Sequence, residues 1–269
     1  MEHFYYHENN LEKPYNPQED YGATFENIFV VADGITHDLV NNKYPVPSDA
    51  YLVSKILVET IIEELKASSR EVDDIKKAIE IANRKVKEFN EGRELFINKE
   101  ANGYTIGACV FSVGIIKESK LIYAVLDDCY ISVFSEDLID HPILKSYVDK
   151  SAKYLFEKMP EDTIERRKTW RKDIRNHELK IGEDSIGYGA IDGRNGYEKY
   201  IQYGEVDLKE DDLVCVYSDG FIKPLQDTNF IKMVRDSEFK HPTIEKISNF
   251  TKTNKIIKEK TCFFLKPSL

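Results

Sequence analysis

No window of this sequence reaches the ~18 consecutive apolar residues that a membrane span requires. The first ten residues, MEHFYYHENN, lack both the basic and the apolar segment of a secretory leader. These two absences set the expectation of a soluble cytoplasmic protein with no membrane partner. Cysteine is scarce and unpatterned: Cys109, Cys129, Cys215 and Cys262 each lie in or beside an apolar run, and none forms a CxxC pair. Buried structural thiols are expected, not a disulfide framework. None of the six histidines forms an HExxH motif. An excess of positive charge is also missing. The formal net charge is -10, which argues against broad nucleic-acid binding, although a local basic patch is compatible with it.

What is present suits a globular chain. Over 269 residues, 41% are apolar and 32% charged, enough for a core of normal size. The first twenty residues are polar and turn-rich. Asn27 to Ala32 reads as a buried strand that stops at Asp33-Gly34. Ser48 or Asp49 caps a helix to about Lys66, with Leu52, Ile56, Leu57, Ile61 and Leu65 at helical spacing. Val72 to Phe89 is a second helix with one charged face. The period then changes: Tyr104 to Ile115 and Lys120 to Phe134 are extended runs joined by a hairpin turn at Ile116 to Ser119. A charged, mostly helical excursion covers about 142–180. Strands return at Gly187 to Ile191, Lys199 to Val206 and Leu213 to Tyr217, and a last strand lies at Thr261 to Leu265. The order lacks the regular βαβα beat of a doubly wound parallel sheet. It predicts an α+β layered domain with antiparallel sheets in the middle and helices outside.

Two strands share one local design. Phe29-Val30-Val31-Ala32-Asp33-Gly34 and Val214-Cys215-Val216-Tyr217-Ser218-Asp219-Gly220 both run apolar and end in Asp-Gly. A strand carries the carboxylate to the edge of the core, and glycine turns the chain and leaves its carbonyl open to a ligand. A plain Asp-Gly turn is the ordinary alternative for either copy. Two copies, with Glu19-Asp20 just ahead of the first, favour a site. If the strands are neighbours, Asp33 and Asp219 approach each other, and a hard divalent cation resolves the like-charge conflict. Oxygen donors without a His or Cys cluster favour Mg2+ or Mn2+ over Zn2+. A third acidic pair, Asp127-Asp128, ends the run Leu121 to Leu126.

These residues resemble the metal-dependent serine/threonine protein phosphatase family, PP2C or PPM, over nearly the whole chain. Asn16-Pro17-Gln18-Glu19-Asp20 resembles its early acidic motif, and Val30 to Gly34 its first Asp-Gly motif. Gly103-Tyr104-Thr105 resembles its Gly-Thr-Thr strand start, with tyrosine in the middle. Val216 to Phe221 resembles its Ser-Asp-Gly motif. The resemblance implies residues 1–269 as one PP2C-like domain, a central β-sandwich of two antiparallel sheets flanked by helices. It implies two Mg2+ or Mn2+ ions whose shared water attacks the phosphorus of a protein phosphoserine or phosphothreonine. By the same resemblance Asp33 is the bridging ligand, the Gly34 carbonyl a second-metal ligand, Asp219 a ligand of the other metal, and Glu19 an outer or direct acidic partner. Asp20 orients the loop, and Asp128 matches an accessory acidic position.

The departures are specific. The family's last metal-binding aspartate falls at Lys258, and Glu259 beside it would serve after a one-residue shift. An acidic position after the Ser-Asp-Gly motif is Lys223, and the Gly-Asp-Ser-Arg signature is Asp127-Asp128-Cys129-Tyr130. The phosphate-binding arginine expected before Glu19 is absent, and Lys13 is the cationic substitute, without arginine's bidentate fork. These changes leave open a catalytically weak phosphatase-like domain that binds a protein partner or phosphorylated ligand. In the basic run from Arg166 to Lys172, Arg167 and Arg171 are either part of a solvated helix face or a phosphate-recognition patch, and Trp170 packs the excursion to the body or stacks on a ligand.

Overall fold

In β3 (Ile28–Gly34) the side chains alternate between two buried environments. Ile28, Val30 and Ala32 face one core cluster, while Phe29 and Val31 face another. Both sides are covered, which is why the sequence reads as an unbroken apolar run. The computed structural model describes residues 1–10, 18–35, 46–93, 106–135, 140–142, 147–161 and 163–268.

Strands β2 (Tyr21–Phe25), β3, β4 (Cys109–Lys117), β5 (Lys120–Leu126) and β10 (Gln202–Asp207) form an antiparallel sheet in the order β10-β5-β4-β3-β2. A second antiparallel sheet combines β1 (Glu2–Glu8), β6 (Cys129–Phe134), β7 (Asp140–Pro142), β11 (Leu213–Ser218) and β12 (Lys260–Lys266), in the order β1-β12-β11-β6-β7. Phe29, Val31, Val125, Ile131, Val216 and Phe263 meet in the cluster between the sheets. The helices α1 (Asp49–Lys66) and α2 (Val72–Glu91) cover the outer face of the first sheet with Val53, Leu57, Ile61, Ile75, Ile79 and Val86. On the second sheet, the short α5 (Ile222–Leu225), α6 (Thr228–Arg235) and α7 (His241–Thr253) place Leu225, Phe230, Val234 and Ile247 against Cys215 and Phe264. The layering is helix, sheet, sheet, helix: an α+β sandwich of the kind expected. Among the described residues, no helix is long and apolar enough to cross a membrane. All four cysteines are buried free thiols.

Several elements differ from the sequence expectation. The polar N-terminus contains β1, which pairs with β12 in the register Phe4↔Phe264 and Tyr6↔Cys262. Phe4 and Tyr6 are its buried apolar residues, while His3 and Tyr5 on the other face lie over Phe29 and Phe263 but stay exposed, so its apolar signal is thin. The run from Lys120 to Phe134 is broken in two. Asp127 takes φ 48°, and β5 and β6 on either side of it belong to different sheets. Residues 187–191 contribute only the isolated bridges Arg175↔Tyr188 and Cys109↔Ile191.

Within the excursion lie α3 (Val148–Lys158), α4 (Ile164–Lys168) with a π-helical turn at Thr169–Ile174, and a hairpin of β8 (Leu179–Ile181) and β9 (Asp184–Ile186). Trp170 stacks on Tyr188 with ring centroids 4.6 Å apart, so it packs the excursion inward. Arg175 is buried in the same place and donates through Nε to the Tyr188 hydroxyl at 3.0 Å.

Candidate metal and phosphate site

Strand register brings the acidic residues together. Tyr21 pairs with Ala32, which sets Asp20 beside Asp33 across β2 and β3. Ser218 pairs with Cys129, which sets Asp128 beside Asp219. Tyr217 pairs with Cys262, which brings the chain before β12 alongside Asp219-Gly220. The sandwich then joins the two halves: the charges of Asp20, Asp219, Glu259 and Asp128 all act on Asp33.

Two glycines allow this approach. A Cβ on Gly34 would lie 2.8 Å from the Glu19 carbonyl oxygen and 3.1 Å from the carbonyl carbon of Ala50 in α1. A Cβ on Gly220 would lie 2.0 Å from the Glu259 carbonyl oxygen and 2.6 Å from Lys260 Cβ. Gly220→Ala is therefore expected to push the start of β12 off the Ser-Asp-Gly turn, at a cost of about 1–3 kcal/mol. A chemical-denaturation midpoint equal to wild type would show that the two segments do not touch.

The acidic side chains have different duties. Asp20 accepts from Ser218 Oγ at 2.6 Å, and Ser218 Oγ in turn accepts the Thr261 N–H at 3.0 Å. Asp20 and Asp33 are also hydrogen-bonded to each other. Glu19 faces the other way: its Oε1 accepts the hydroxyl of Ser48, which caps α1 by accepting the Tyr51 N–H at 3.1 Å. Glu259 Oε1 accepts the backbone N–H groups of Glu19 and, at 2.6 Å, of Asp20, so it fixes the acidic loop. Asp127 is structural. Its Oδ1 accepts the N–H groups of Tyr147 and Val148 at 2.9 and 3.0 Å, at the start of α3, and its Oδ2 accepts from Gly189 at 2.9 Å. Asp128 accepts from the Tyr130 hydroxyl at 3.1 Å and feels the charge of Asp219.

Burial and like charge dominate the electrostatics. Burial pushes Asp20 up to about 7, with the Asp219 charge adding to it against hydrogen bonds from Ser218 and Thr261. Burial and then the neighbouring carboxylates hold Asp33 well above the usual carboxyl range. Glu259 rises to about 8, by burial and then by Asp20, and Asp128 to about 6, by burial and then by Asp219. Among the described residues, Lys258 is the cation bonded to this cluster. Lys258 Nζ donates to Asp219 Oδ2. Burial lowers the pKa of that ammonium, and the hydrogen bond and charge of Asp219 outweigh the effect and leave it raised.

Other candidate residues lie elsewhere or outside the described residues. Lys223 is exposed on α5. Arg167 and Arg171 line a cavity of about 200 Å³ in the excursion, with Arg166, Leu155, Phe156 and Trp170. Lys13, the Asn16-Pro17 start of the acidic motif and Gly103 to Thr105 lie outside the described residues. Sequence reasoning gave Asp20 only a loop-orienting part and passed over Ser218 and Thr261 as its hydrogen-bond partners. The register Tyr21↔Ala32 is the signal that would have found Asp20.

No sequence-family profile matches the chain, and no curated protein matches it. Solved structures do match. The catalytic domain of the serine/threonine phosphatase PstP, in complex with two manganese ions, aligns at TM-score 0.65 and 10% identity, covering 98% of this chain and 96% of that one. Stp1 of Staphylococcus aureus aligns at TM-score 0.65 and 12% identity over 100% and 96% of the two chains. MsPP of Mycobacterium smegmatis, a PPM Ser-Thr phosphatase in complex with cacodylate, aligns at 0.62 and 13% over 100% and 99%. The chain has the PP2C fold.

On this PP2C scaffold the donor set is all oxygen, as hard divalent cations require, and the like charges around Asp20 and Asp33 call for a countercharge. In those respects the residues fit a metal. Among the described residues, however, no three His, Cys, Asp or Glu side chains converge in ligating geometry. Asp219, moreover, already carries the Lys258 ammonium.

Proposed function

We propose that this chain is a divalent-metal-dependent phosphatase that hydrolyses phosphate monoesters, with phosphoserine and phosphothreonine in proteins as its substrates. The observation that carries this reading is the gathering of Asp20, Asp33, Asp128, Asp219 and Glu259 at strand ends of a PP2C-fold chain. The whole chain is read as one domain, with the excursion as part of it.

Asp33, Asp20 and Asp219 would hold Mg2+ or Mn2+, with the Gly34 carbonyl and Asp128 as further oxygen donors. When bound, a hard cation supplies Lewis acidity, which acidifies water and screens charge on the phosphoryl oxygens. The chain's own residues supply position. Glu259 anchors the backbone of Glu19 and Asp20, Ser218 aims the Asp20 carboxylate, and Glu19 ties the loop to the first turn of α1 through Ser48. No protein nucleophile is needed, in keeping with the buried cysteines. Arg167 and Arg171 are assigned to phosphate recognition on the excursion.

Metal-stripped protein should release phosphate from a phosphoserine/phosphothreonine peptide pool on addition of Mn2+ or Mg2+, and not without metal. Folded protein that releases none with either metal would support the second reading, a phosphatase-like module that binds a phosphorylated partner. The Lys258–Asp219 pair is the specific observation in favour of that alternative.

A further inference from the structure

Three consecutive residues before and at the start of β12 point to different places. Lys258 reaches Asp219, Glu259 turns to the backbone of Glu19 and Asp20, and Lys260 is buried against Glu8 at 2.9 Å. The two side chains are already directed to different partners, Lys258 to Asp219 and Glu259 to the backbone of the acidic loop. Glu259 Oε1 is moreover committed to two N–H donors, and moving it would release the loop that carries Asp20. A one-residue shift that makes Glu259 the partner of Asp219 would break both arrangements. The group the chain delivers to Asp219 is an ammonium.

That ammonium cannot ligate a metal while protonated, and its charge repels a dication placed near it. Its electrostatic partners after Asp219 are Asp128 and Asp33, so it acts on the same cluster. On the far side, Asp20 bonds the hydroxyls of Ser218 and Thr261 and the Asp33 carboxyl, and no lysine or arginine of the described residues bonds either carboxyl. The cluster is thus divided: Asp219 is bonded directly to an ammonium, whereas Asp20 and Asp33 feel that charge only at a distance.

We propose that Lys258 is a built-in cation of this centre, which takes one divalent ion at the Asp20–Asp33 end in place of the two manganese ions of the PstP complex. This rests on the metal-site reading above but not on turnover. The side chain of Lys258 is 65% exposed, so replacing it should leave the fold intact, and circular dichroism and thermal melting verify this.

The test counts metal. Metal-stripped wild type, Lys258→Met and Lys258→Asp are titrated with Mn2+ by calorimetry, and the bound ion is quantified after gel filtration by elemental analysis. The expected result is one Mn2+ per chain for wild type and two for Lys258→Asp. Lys258→Met should hold the first ion at least as tightly as wild type and fill the second position at least tenfold more weakly than Lys258→Asp. Electron paramagnetic resonance gives a second readout: an isolated-ion spectrum for wild type and an exchange-coupled pair for Lys258→Asp. Two ions bound to wild type would overturn the proposal, because the lysine would then move aside. So would no ion bound to wild type, or the same count in wild type and Lys258→Asp. A one-ion wild type that hydrolyses nothing would support the inference while defeating the phosphatase reading, so the two fail separately.

Discussion

Asp33→Asn is expected to lower metal-dependent phosphate release at least ~100-fold, since even outer-shell changes at metal centres cost 10–100-fold. The same substitution should raise the melting temperature of the metal-free protein. Asp33 is the carboxyl on which the rest of the cluster converges: Asp20, Asp219, Glu259 and Asp128 all act on it with like charge. Asparagine keeps the shape and can still hydrogen-bond Asp20, but it cannot ionise. Activity and stability should therefore move in opposite directions, as they do where a site is held together against its own repulsion. Phosphate release and thermal melts in EDTA and in Mn2+ read the two effects on one sample. Mn2+ should stabilise wild type and leave Asp33→Asn nearly unmoved. If turnover survives the substitution, the chemistry does not pass through Asp33. If the melting temperature falls instead, the carboxylate is a structural acceptor and not a strained one.

The sandwich was legible because its strands are covered on both faces. Runs such as Phe29 to Ala32 and Val214 to Tyr217 are too short for core helices, and they end in Asp-Gly turns. α1 was legible from its spacing and its Ser48 cap, which the structure shows accepting the Tyr51 N–H. The edge strand β1 was not, because it fully buries only Phe4 and Tyr6, which are diluted by His and Glu neighbours. The break at Asp127-Asp128 was hidden by its surroundings: two β-branched runs meet there, and only a positive φ at a non-glycine residue separates them.

For the site, the strand-end aspartates could be named from sequence, but the division of labour within acidic pairs could not. In Glu19-Asp20 and Asp127-Asp128 alike, one member joins the cluster and the other bonds a helix start: Glu19 through Ser48 of α1, Asp127 through the first amides of α3. Sequence spacing cannot tell which is which. The register of β2 on β3 and of β6 on β11 decides it.

Metal-stripped wild type should lose stability as pH rises from about 6.5 to about 8.5. Unfolded carboxyls ionise near ~4. The folded chain holds protons on Asp20 to about 7, on Glu259 to about 8, and on Asp33 through a rise of the same sign. Between the unfolded and folded values the native state binds more protons than the unfolded one, so stability falls with rising pH until the folded values are passed. His7 contributes in the opposite sense, because burial lowers its pKa, but that contribution is complete once the unfolded imidazole has lost its proton near ~6.5. Above it the carboxyls dominate until about pH 8, where the thiols of Cys109, Cys129 and Cys262, pushed up by burial, begin to add a loss of the same sign. One extra proton held by the native state costs about 1.4 kcal/mol of stability for each pH step of one. The melting temperature is accordingly expected to drop by roughly 5–10 °C across the window. Saturating Mn2+ should flatten the slope, because a dication replaces the protons as countercharge at Asp20 and Asp33. Asp33→Asn without metal should show a shallower slope than wild type. Lys258→Met should show a steeper one, since removing the ammonium leaves Asp219 and Asp128 uncompensated and makes every further ionisation in the cluster less favourable. A metal-free profile that is flat, or that rises with pH, would mean that the carboxylates stand far enough apart in solution to ionise independently, and the cation-requiring centre would fall with it.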